Sequence, residues 1–251
     1  MQKYFLGDLI LYMIKLTPPK ITPYYLNENR KLCNIVAQNK NFGALHLETD
    51  RYQDISERYI TKLKDKNDNI LGYEIFSFED FSNSLFGYSI RVNPNLRQKG
   101  LHLGELLRLS SIIEMLENNA EKLKIYSKDT AIYFHSKYKF QPSIDSFKDR
   151  DKALESIVKN PKNGMEPFID SAKKLIEKIK NSRTPEEQRA TIPQANEITK
   201  EYIEEVLSSP KGYKEYPFEY GMGMDLTKDT VIKNKYFYNE LFHKHGIDYE
   251  I

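Results

Sequence analysis

Hydrophobic residues change their spacing near residue 100, and the change predicts a strand followed by a helix. Ile90 and Val92 alternate with polar residues, which is the period of a β-strand. Pro94 follows them, where its missing N–H would end a strand ladder. Beyond Gly100 the apolar residues recur every three or four positions, as on one face of an α-helix: Leu103, Leu106, Leu109, Ile113 and Leu116.

The first 90 residues have a pattern that favours strands. Four strands are predicted there, the last two forming a hairpin: residues 8–16, 44–48, 59–63 and 70–78. Turn-forming residues at 65–69 would connect the hairpin arms. Three prolines before residue 24 leave room for a helix only at about 27–39.

The remainder of the chain alternates between helices and short strands. The helix after Gly100 is predicted to end near Asn119. It is followed by a strand at 123–126, three or four helices over 149–209 and a last strand at 220–226. In that last strand Gly221 and Gly223 occupy one face, which would let a neighbouring backbone or a ligand approach closely.

Composition limits the class of protein. The chain has 251 residues, which is enough for one sizeable core, and its net charge is +2 with lysines spread among acidic residues. This even distribution disfavours nucleic acid as the main partner. The single cysteine, Cys33, excludes an internal disulfide and a multi-cysteine metal site. No apolar run is long enough to cross a membrane and no leader pattern is visible, so we expect a cytoplasmic protein with no metal and no membrane partner.

The loop between the predicted strand and helix suits an anion. The first amides of a helix have no intrahelical partners and the helix dipole is positive there, so the N–H groups from Gln98 to Leu103 can converge on a diphosphate. Arg97 and Lys99 add positive charge. The spacing of glycines matches neither a nucleotide P-loop nor a dinucleotide-binding loop.

This loop resembles the signature of the Gcn5-related N-acetyltransferase (GNAT) family, hydrophobic-x-Val-x-Pro-x-x-Arg-x-x-Gly-x-Gly/Ala. The matching residues are Ile90, Val92, Pro94, Arg97 and Gly100. A second segment, residues 131–140, resembles the family's Ala-x-x-Phe-Tyr-x-x-x-Gly-Phe helix. The resemblance implies an α/β fold, a GNAT-like mixed, partly antiparallel sheet with flanking helices, here with an inserted helical lobe. It also implies acetyl-CoA as co-substrate.

The resemblance assigns most of the cofactor contacts to the first motif. The implied cofactor-binding residues are Ile90, Arg91, Val92, Arg97, Gln98, Lys99, Gly100, Leu101, His102, Leu103, Gly104, Lys128 and Phe134. His102 departs from the family, which has a small residue there, with Gly104 two positions later. We expect its imidazole to point outward, and donation to the cofactor stays the alternative.

The implied catalytic residues are His135 and Glu79. His135 stands where the family has a tyrosine that protonates the departing thiolate, and imidazole titrates near neutrality, so it could serve as that acid. Tyr133 lies on another face of the helix. Glu79 or Asp80, at the end of a strand, could deprotonate the incoming amine, and Glu74 competes for that role.

The sequence therefore predicts an acetyltransferase in three parts. Residues 1–148 would form the acyl-CoA-binding core, 149–212 a helical insertion and 213–251 the final strand and C-terminal segment. The acceptor would be a small-molecule or peptide amine, and the chain could form a homodimer. One alternative is a catalytically silent module that binds acyl-CoA or a protein. Another, disfavoured by the lack of a basic face, is acetylation of an aminoacyl-tRNA.

Overall fold

The computed structural model describes residues 22–27, 30–52, 57–97, 100–159, 164–209, 216 and 218–251. Within these ranges the chain forms two compact units. One contains the described residues up to Leu123 together with Val231–Ile251, and the other runs from Lys124 to Thr230. The strand predicted at 8–16 lies outside the described residues.

The first unit is built on antiparallel strands that follow one another in chain order. They are β1 (Thr22–Asn27), β2 (Arg30–Asn39), β3 (Gly43–Arg51), β4 (Arg58–Lys64), β5 (Ile70–Glu79) and β6 (Ser84–Val92). The strand predicted at 44–48 and the β4–β5 hairpin are confirmed. Asp65 forms the hairpin turn by accepting hydrogen bonds from the N–H groups of Asn67 and Asn69.

The helix expected at 27–39 is wrong, because residues 30–39 form β2. Cys33, Ile35 and Ala37 are fully buried while Asn34, between the first two, is not, so the segment buries every second residue. That period belongs to a strand lying on a core. Prolines restrict a helix but are compatible with an extended chain. The two-residue period of the apolar residues is therefore the better guide to the structure of this segment.

The predicted helix after Gly100 is confirmed as α1, Leu103–Glu117. It covers one face of the sheet and contacts β2, β4, β5 and β6. Its apolar residues are fully buried up to Ile113, and Leu116 is half-buried. Polar side chains on the same helix bind the sheet, since Glu114 Oε1 accepts a hydrogen bond from the N–H of Cys33 at 2.8 Å.

Among the residues that the structure describes, the second unit contains three strands and five complete helices. The strands are β7 (Lys122–Ser127, which starts at the boundary), β8 (Gln141–Pro142) and β9 (Met222–Thr227), in the order β7, β9, β8. The helices are α2 (Ala131–Lys137), α3 (Phe147–Lys159), α4 (Glu166–Asn181), α5 (Pro185–Arg189) and α6 (Ile192–Ser208). The short strand, the second helix, the helices of 149–209 and the last strand are thereby confirmed. α7 (Lys228–Lys233) contains the second boundary between the units, after Thr230. α8 (Lys235–Lys244) follows that boundary and belongs to the first unit.

The glycines of the last strand are explained by packing. A Cβ on Gly221 would lie 2.6 Å from the Tyr126 ring and 2.8 Å from the carbonyl oxygen of Ser127. A Cβ on Gly223 would lie 2.7 Å from the carbonyl oxygen of Ser143. Neighbouring backbone therefore fills the space that the glycines leave.

The fold class predicted from the sequence is confirmed: the chain is α/β, with largely antiparallel strands and flanking helices. α3, α4 and α6 pack on one another, and they share a compact unit with β7, β8 and β9. The division into parts at 148 and 212 stays a prediction.

Candidate active site

The loop from β6 to α1 begins with a tight turn. The side chain of Asn93 accepts a hydrogen bond from the N–H of Asn95 at 3.0 Å and starts a single 3-10 turn, Pro94–Leu96. Arg97 is exposed, and its Nε donates to the carbonyl oxygen of Val92 at 3.0 Å. Its guanidinium is thereby held at the end of β6. Gln98 and Lys99 lie outside the described residues.

Two left-handed residues then turn the chain into α1. Gly100 has φ +65° and His102 has φ +55°. Leu101, between them, is buried, and its carbonyl oxygen accepts a hydrogen bond from Nδ2 of Asn39 at 3.1 Å.

The amides at the start of α1 are available to a ligand. Leu103 is buried, and a Cβ on Gly104 would find its nearest neighbour, Val92 Cγ2, at an ordinary 3.9 Å. Leu106 makes the first intrahelical bond, from its N–H to the carbonyl oxygen of His102. The amides of residues 103–105 precede that bond, so helix geometry gives them no intrahelical partner.

A cavity of about 320 Å³ lies against this loop. Gly100 and His102 form one wall, the β2–β3 turn (residues 38–41) forms a second, and Lys244 and His245 form a third. Two lysines and two histidines therefore line it, and no carboxylate does among the residues that the structure describes. Such a lining favours an anion.

Glu105 connects the basic side chains around this cavity. Its Oε1 lies 3.0 Å from Nζ of Lys244 and 3.0 Å from Nε2 of His245, and its Oε2 lies 2.9 Å from Nδ1 of His102. Burial by itself would raise the pKa of Glu105, but the hydrogen bonds and charges of His245 and Lys244 outweigh it and lower the pKa to about 2. The carboxylate is therefore ionised at neutral pH.

His102 is both exposed and paired. About half of its side chain is exposed (52%), as the outward orientation predicted, while Nδ1 contacts Glu105. Its proposed part in cofactor binding stays a prediction.

The residues of β6 assigned to the cofactor lie on both faces of the sheet. Ile90 pairs with Glu74 and is half-buried, and Val92 pairs with Gly72 near the start of α1. Arg91 is exposed and pairs with Tyr73. The alternation of a strand places Arg91 on the face opposite Ile90 and Val92.

Glu79 is the last residue of β5 and lies at the β5–β6 turn. It is half-buried and accepts a hydrogen bond from Oγ of Ser82 at 2.8 Å. Asp80 is exposed in the same turn, and Phe81, beside it, is fully exposed.

Glu74 has a different environment from Glu79. It is 1% exposed, and its Oε1 accepts a hydrogen bond from Nη1 of Arg108 in α1 at 3.0 Å. Burial raises the pKa of Glu74 to about 7, although Arg108 and Ser111 oppose the shift. The pair lies under α1, within the core. This position suits a structural ion pair better than a base that must meet an amine.

His135 belongs to the second unit and is nearly buried, with 8% of its surface exposed. Its ring centroid lies 5.0 Å from that of Phe134 and 5.5 Å from that of Phe140. Phe134 is half-buried and also packs on Tyr138, and Lys128 is exposed at the end of β7. A cavity of about 210 Å³ is lined by Ser136 and Lys137, whereas His135 is not among its lining residues.

Tyr133 lies on another face of α2 from His135 and is fully buried. Its hydroxyl donates to the carbonyl oxygen of Tyr216, and burial raises the pKa of the phenol. Tyr133 is therefore a core residue.

Sequence reasoning missed Lys40, Lys244 and His245 as possible members of the site. Lys244 and Glu105 are 139 positions apart in the chain. His245 is near the C-terminus, far along the chain from the loop. Glu105 carried the single visible signal, an acidic residue in the first turn of the helix.

Two further features bear on the kind of site. The described part of the chain holds no group of three or more histidine, cysteine or acidic side chains arranged to bind a metal ion. Among the described residues, none of the helices has the length and apolar character needed to cross a membrane.

Comparisons with known proteins found similarity only among solved structures, since no family model and no curated protein matches. A GNAT-family acetyltransferase from Elizabethkingia anophelis with acetyl-CoA bound is 21% identical, with a TM-score of 0.32, over 38% of this chain and 63% of that chain. A putative GNAT acetyltransferase from Desulfovibrio desulfuricans is 14% identical, with a TM-score of 0.32, over 35% and 58%. PaiA N-acetyltransferase from Thermoplasma acidophilum, in complex with coenzyme A, is 15% identical, with a TM-score of 0.30, over 36% and 55%.

The solved structures similar to the chain include acetyltransferases of the GNAT family, the family that the two motifs resemble. The chain covers less than two thirds of the length of each of the three compared above. Similarity at this level does not extend to activity, so the function must be argued from the residues of this chain.

Proposed function

We propose that the chain binds acetyl-CoA at the β6–α1 loop and transfers its acetyl group to a primary amine. The observation that carries this proposal is the start of α1, where helix amides without intrahelical partners lie next to a cavity lined by two lysines and two histidines. A diphosphate matches that combination, because helix N-termini and basic side chains both bind anions. The sequence motif at residues 90–100 supports the same ligand.

Each part of the loop has a proposed role. The amides of residues 100–104 would hold the diphosphate, and Arg97 would add charge from the end of β6. Residues 90–92 would align the pantetheine chain through backbone hydrogen bonds. Since both charge and backbone amides contribute, we expect binding of coenzyme A to weaken with salt but to persist.

The proposed reaction is direct transfer. The amine nitrogen attacks the thioester carbonyl, a C–N bond forms, the C–S bond breaks, and the thiolate of coenzyme A leaves. A base must first take a proton from the ammonium form of the amine, and Glu79, directly or through water, is the proposed base. The amide nitrogen then loses its remaining extra proton to solvent, and an acid protonates the thiolate. His135 remains the proposed acid from its place in the second motif.

A specific observation favours the second candidate, a module that binds acyl-CoA without turnover. His135 is nearly buried between two aromatic rings. A proton donor must come within hydrogen-bond reach of the leaving sulfur. If this packing persists when ligand binds, the chain would bind acyl-CoA and leave it intact.

Calorimetry and a thiol-release assay separate the two candidates. Coenzyme A binding is measured by titration calorimetry, and release of free thiol from acetyl-CoA is followed over a panel of polyamines, amino sugars and peptide amines. Binding with thiol release on at least one amine would support the transferase. Binding with no release on any amine would support the silent module, and no binding would refute both.

His135→Ala tests the proposed acid. We expect turnover to fall by about a hundredfold or more, since general acids contribute that much, with coenzyme A affinity nearly unchanged. His243→Ala is the matched control, because His243 is exposed near the C-terminus and has no proposed role in the reaction. Equal turnover in wild type and His135→Ala at saturating substrate would show that the acid assignment is wrong.

A further inference from the structure

The cavity beside the β6–α1 loop is lined by basic side chains that come from outside the loop as well as from it. Lys40 comes from the β2–β3 turn and Lys244 from the end of α8, and both line the cavity together with Gly100. His102 and His245 line it as well. Beyond the loop itself, therefore, two distant segments supply cationic groups to one cavity.

We infer that this cavity is a phosphomonoester site that holds the ribose 3′-phosphate of coenzyme A, with Lys40 and Lys244 as its cationic ligands. The inference rests on the proposed function and adds a specificity to it. Coenzyme A carries its 5′-diphosphate and its 3′-phosphate on the same ribose. Because Gly100 and His102 belong both to the loop and to the cavity wall, a diphosphate on the loop places the 3′-phosphate at the cavity.

The three walls are held together by the protein itself. The N–H of Gln38 donates to the carbonyl oxygen of His245 at 2.7 Å, and Nδ2 of Asn39 donates to the carbonyl oxygen of Leu101 at 3.1 Å. Gly246, with φ +60°, lets the C-terminal segment come close to Gln38, where a Cβ would lie 2.8 Å from the side chain. A site assembled before the ligand arrives loses less entropy on binding.

Glu105 positions Lys244 without closing the site. Its carboxylate takes one contact from the ammonium group, at 3.0 Å. An ammonium has three donors, so two remain for a ligand, and 49% of the Lys244 side chain is exposed. A phosphomonoester is close to a dianion at neutral pH, and charge-assisted hydrogen bonds to it are stronger than neutral ones.

The experiment compares three ligands by titration calorimetry on the full chain: coenzyme A, dephospho-coenzyme A and inorganic phosphate. We expect coenzyme A to bind at least about tenfold more tightly than dephospho-coenzyme A, because the latter lacks only the 3′-phosphate and so loses one or two charge-assisted contacts. Lys244→Ala and Lys40→Ala should each reduce that ratio while leaving the affinity for dephospho-coenzyme A nearly unchanged.

Three variants distinguish a lost phosphate contact from a general loss of charge or stability. Lys66→Ala removes an exposed lysine from the neighbouring β4–β5 turn, outside the cavity lining, and should keep the wild-type ratio. Lys40→Ala leaves the Glu105 contacts intact, so it tests the site even if Lys244→Ala loses stability. Lys244→Arg keeps the positive charge and should therefore keep most of the difference in affinity between coenzyme A and dephospho-coenzyme A.

The outcomes separate this inference from the function on which it rests. Equal affinities for coenzyme A and dephospho-coenzyme A, or a ratio unchanged in both lysine variants, would overturn the inference and leave the acyl-CoA site standing. Saturable binding of inorganic phosphate that depends on Lys244, together with equal affinities for the two nucleotides, would assign the cavity to free phosphate and also overturn it. No binding of either nucleotide would overturn the proposed function and the inference together.

Discussion

Replacing Glu105 with glutamine tests the electrostatic design of the β6–α1 loop. The carboxylate contacts Lys244 and His245 through Oε1 and His102 through Oε2, and it is buried against them. Glutamine has nearly the same shape but no charge. The variant therefore leaves the basic groups in place without their counter-charge, which costs more than removing both partners.

The pKa of Glu105 gives the magnitude. It falls from 4.5 to about 2 in the folded chain, a difference that corresponds to roughly 3 kcal/mol of stability at 1.36 kcal/mol per unit. Since the side chains of Lys244 and His102 are about half exposed, solvent screens part of this, and we expect about 2 kcal/mol. The folded pKa is the lower one, so the stabilisation is present above pH 4.5 and is lost as the pH falls towards 2.

Urea unfolding at a series of pH values measures this contribution. The free energy of unfolding of Glu105→Gln should be about 2 kcal/mol below that of wild type near neutral pH, and the gap should shrink below about pH 4.5. Glu121→Gln, which changes an exposed carboxylate beyond the end of α1, is the control and should show little gap at any pH. A gap of the same size at every pH, or none at neutral pH, would refute the reasoning.

Three other predictions follow from the packing of the chain. Gly100→Ala should still bind coenzyme A, because its Cβ meets open space, and it should lower the free energy of unfolding by about 1 kcal/mol, because alanine disfavours a φ of +65°. Gly100→Glu should abolish coenzyme A binding in calorimetry, because it adds a carboxylate to the cavity. Glu74→Gln should lower the free energy of unfolding in urea by no more than about 1 kcal/mol near pH 7, because burial raises the pKa of Glu74 to about 7 and so already disfavours the carboxylate, and Glu74→Leu with Arg108→Met should be about as stable as wild type. Thiol release that persists in the double variant would exclude Glu74 as the base, and its loss would contradict a purely structural role. Gly221→Ala should lower the free energy of unfolding by about 2 kcal/mol, because the new Cβ meets the carbonyl oxygen of Ser127. A thermal midpoint equal to that of wild type would contradict this prediction.

Much of the fold could be predicted from local patterns. The change of period at residue 100 predicted α1, and alternation with turn residues predicted the β4–β5 hairpin, because burial on one face imposes a period on each element. The helix predicted at 27–39 was wrong because the nearby prolines were taken as the limits of a helix, whereas the alternation of Cys33, Ile35 and Ala37 indicates a strand. In a segment of mixed propensity, contact with the core decides between helix and strand, and β2 lies against α1.

The candidate site was less accessible to this reasoning. The motif located the loop, and helix geometry supplied the amides, so the proposed anion site could be placed at residues 90–104 from the sequence alone. The lysines at 40 and 244 were not, because nothing in their local sequence states which distant segment they will meet. His135 shows the same limit, since its place in a motif is visible in the sequence while its burial between Phe134 and Phe140 is not.

The sequence by itself determined most of the elements beyond residue 43, their order, and the position of the helix start that follows Gly100. These are local properties, set by side-chain period, by proline and glycine, and by the unsatisfied amides that every helix start has. The tertiary structure alone decided that Glu105 would join His102, Lys244 and His245, and that the β2–β3 turn would complete the cavity. Such groupings depend on how the whole chain packs, because electrostatic contacts form between groups that are close in space, at any separation along the chain.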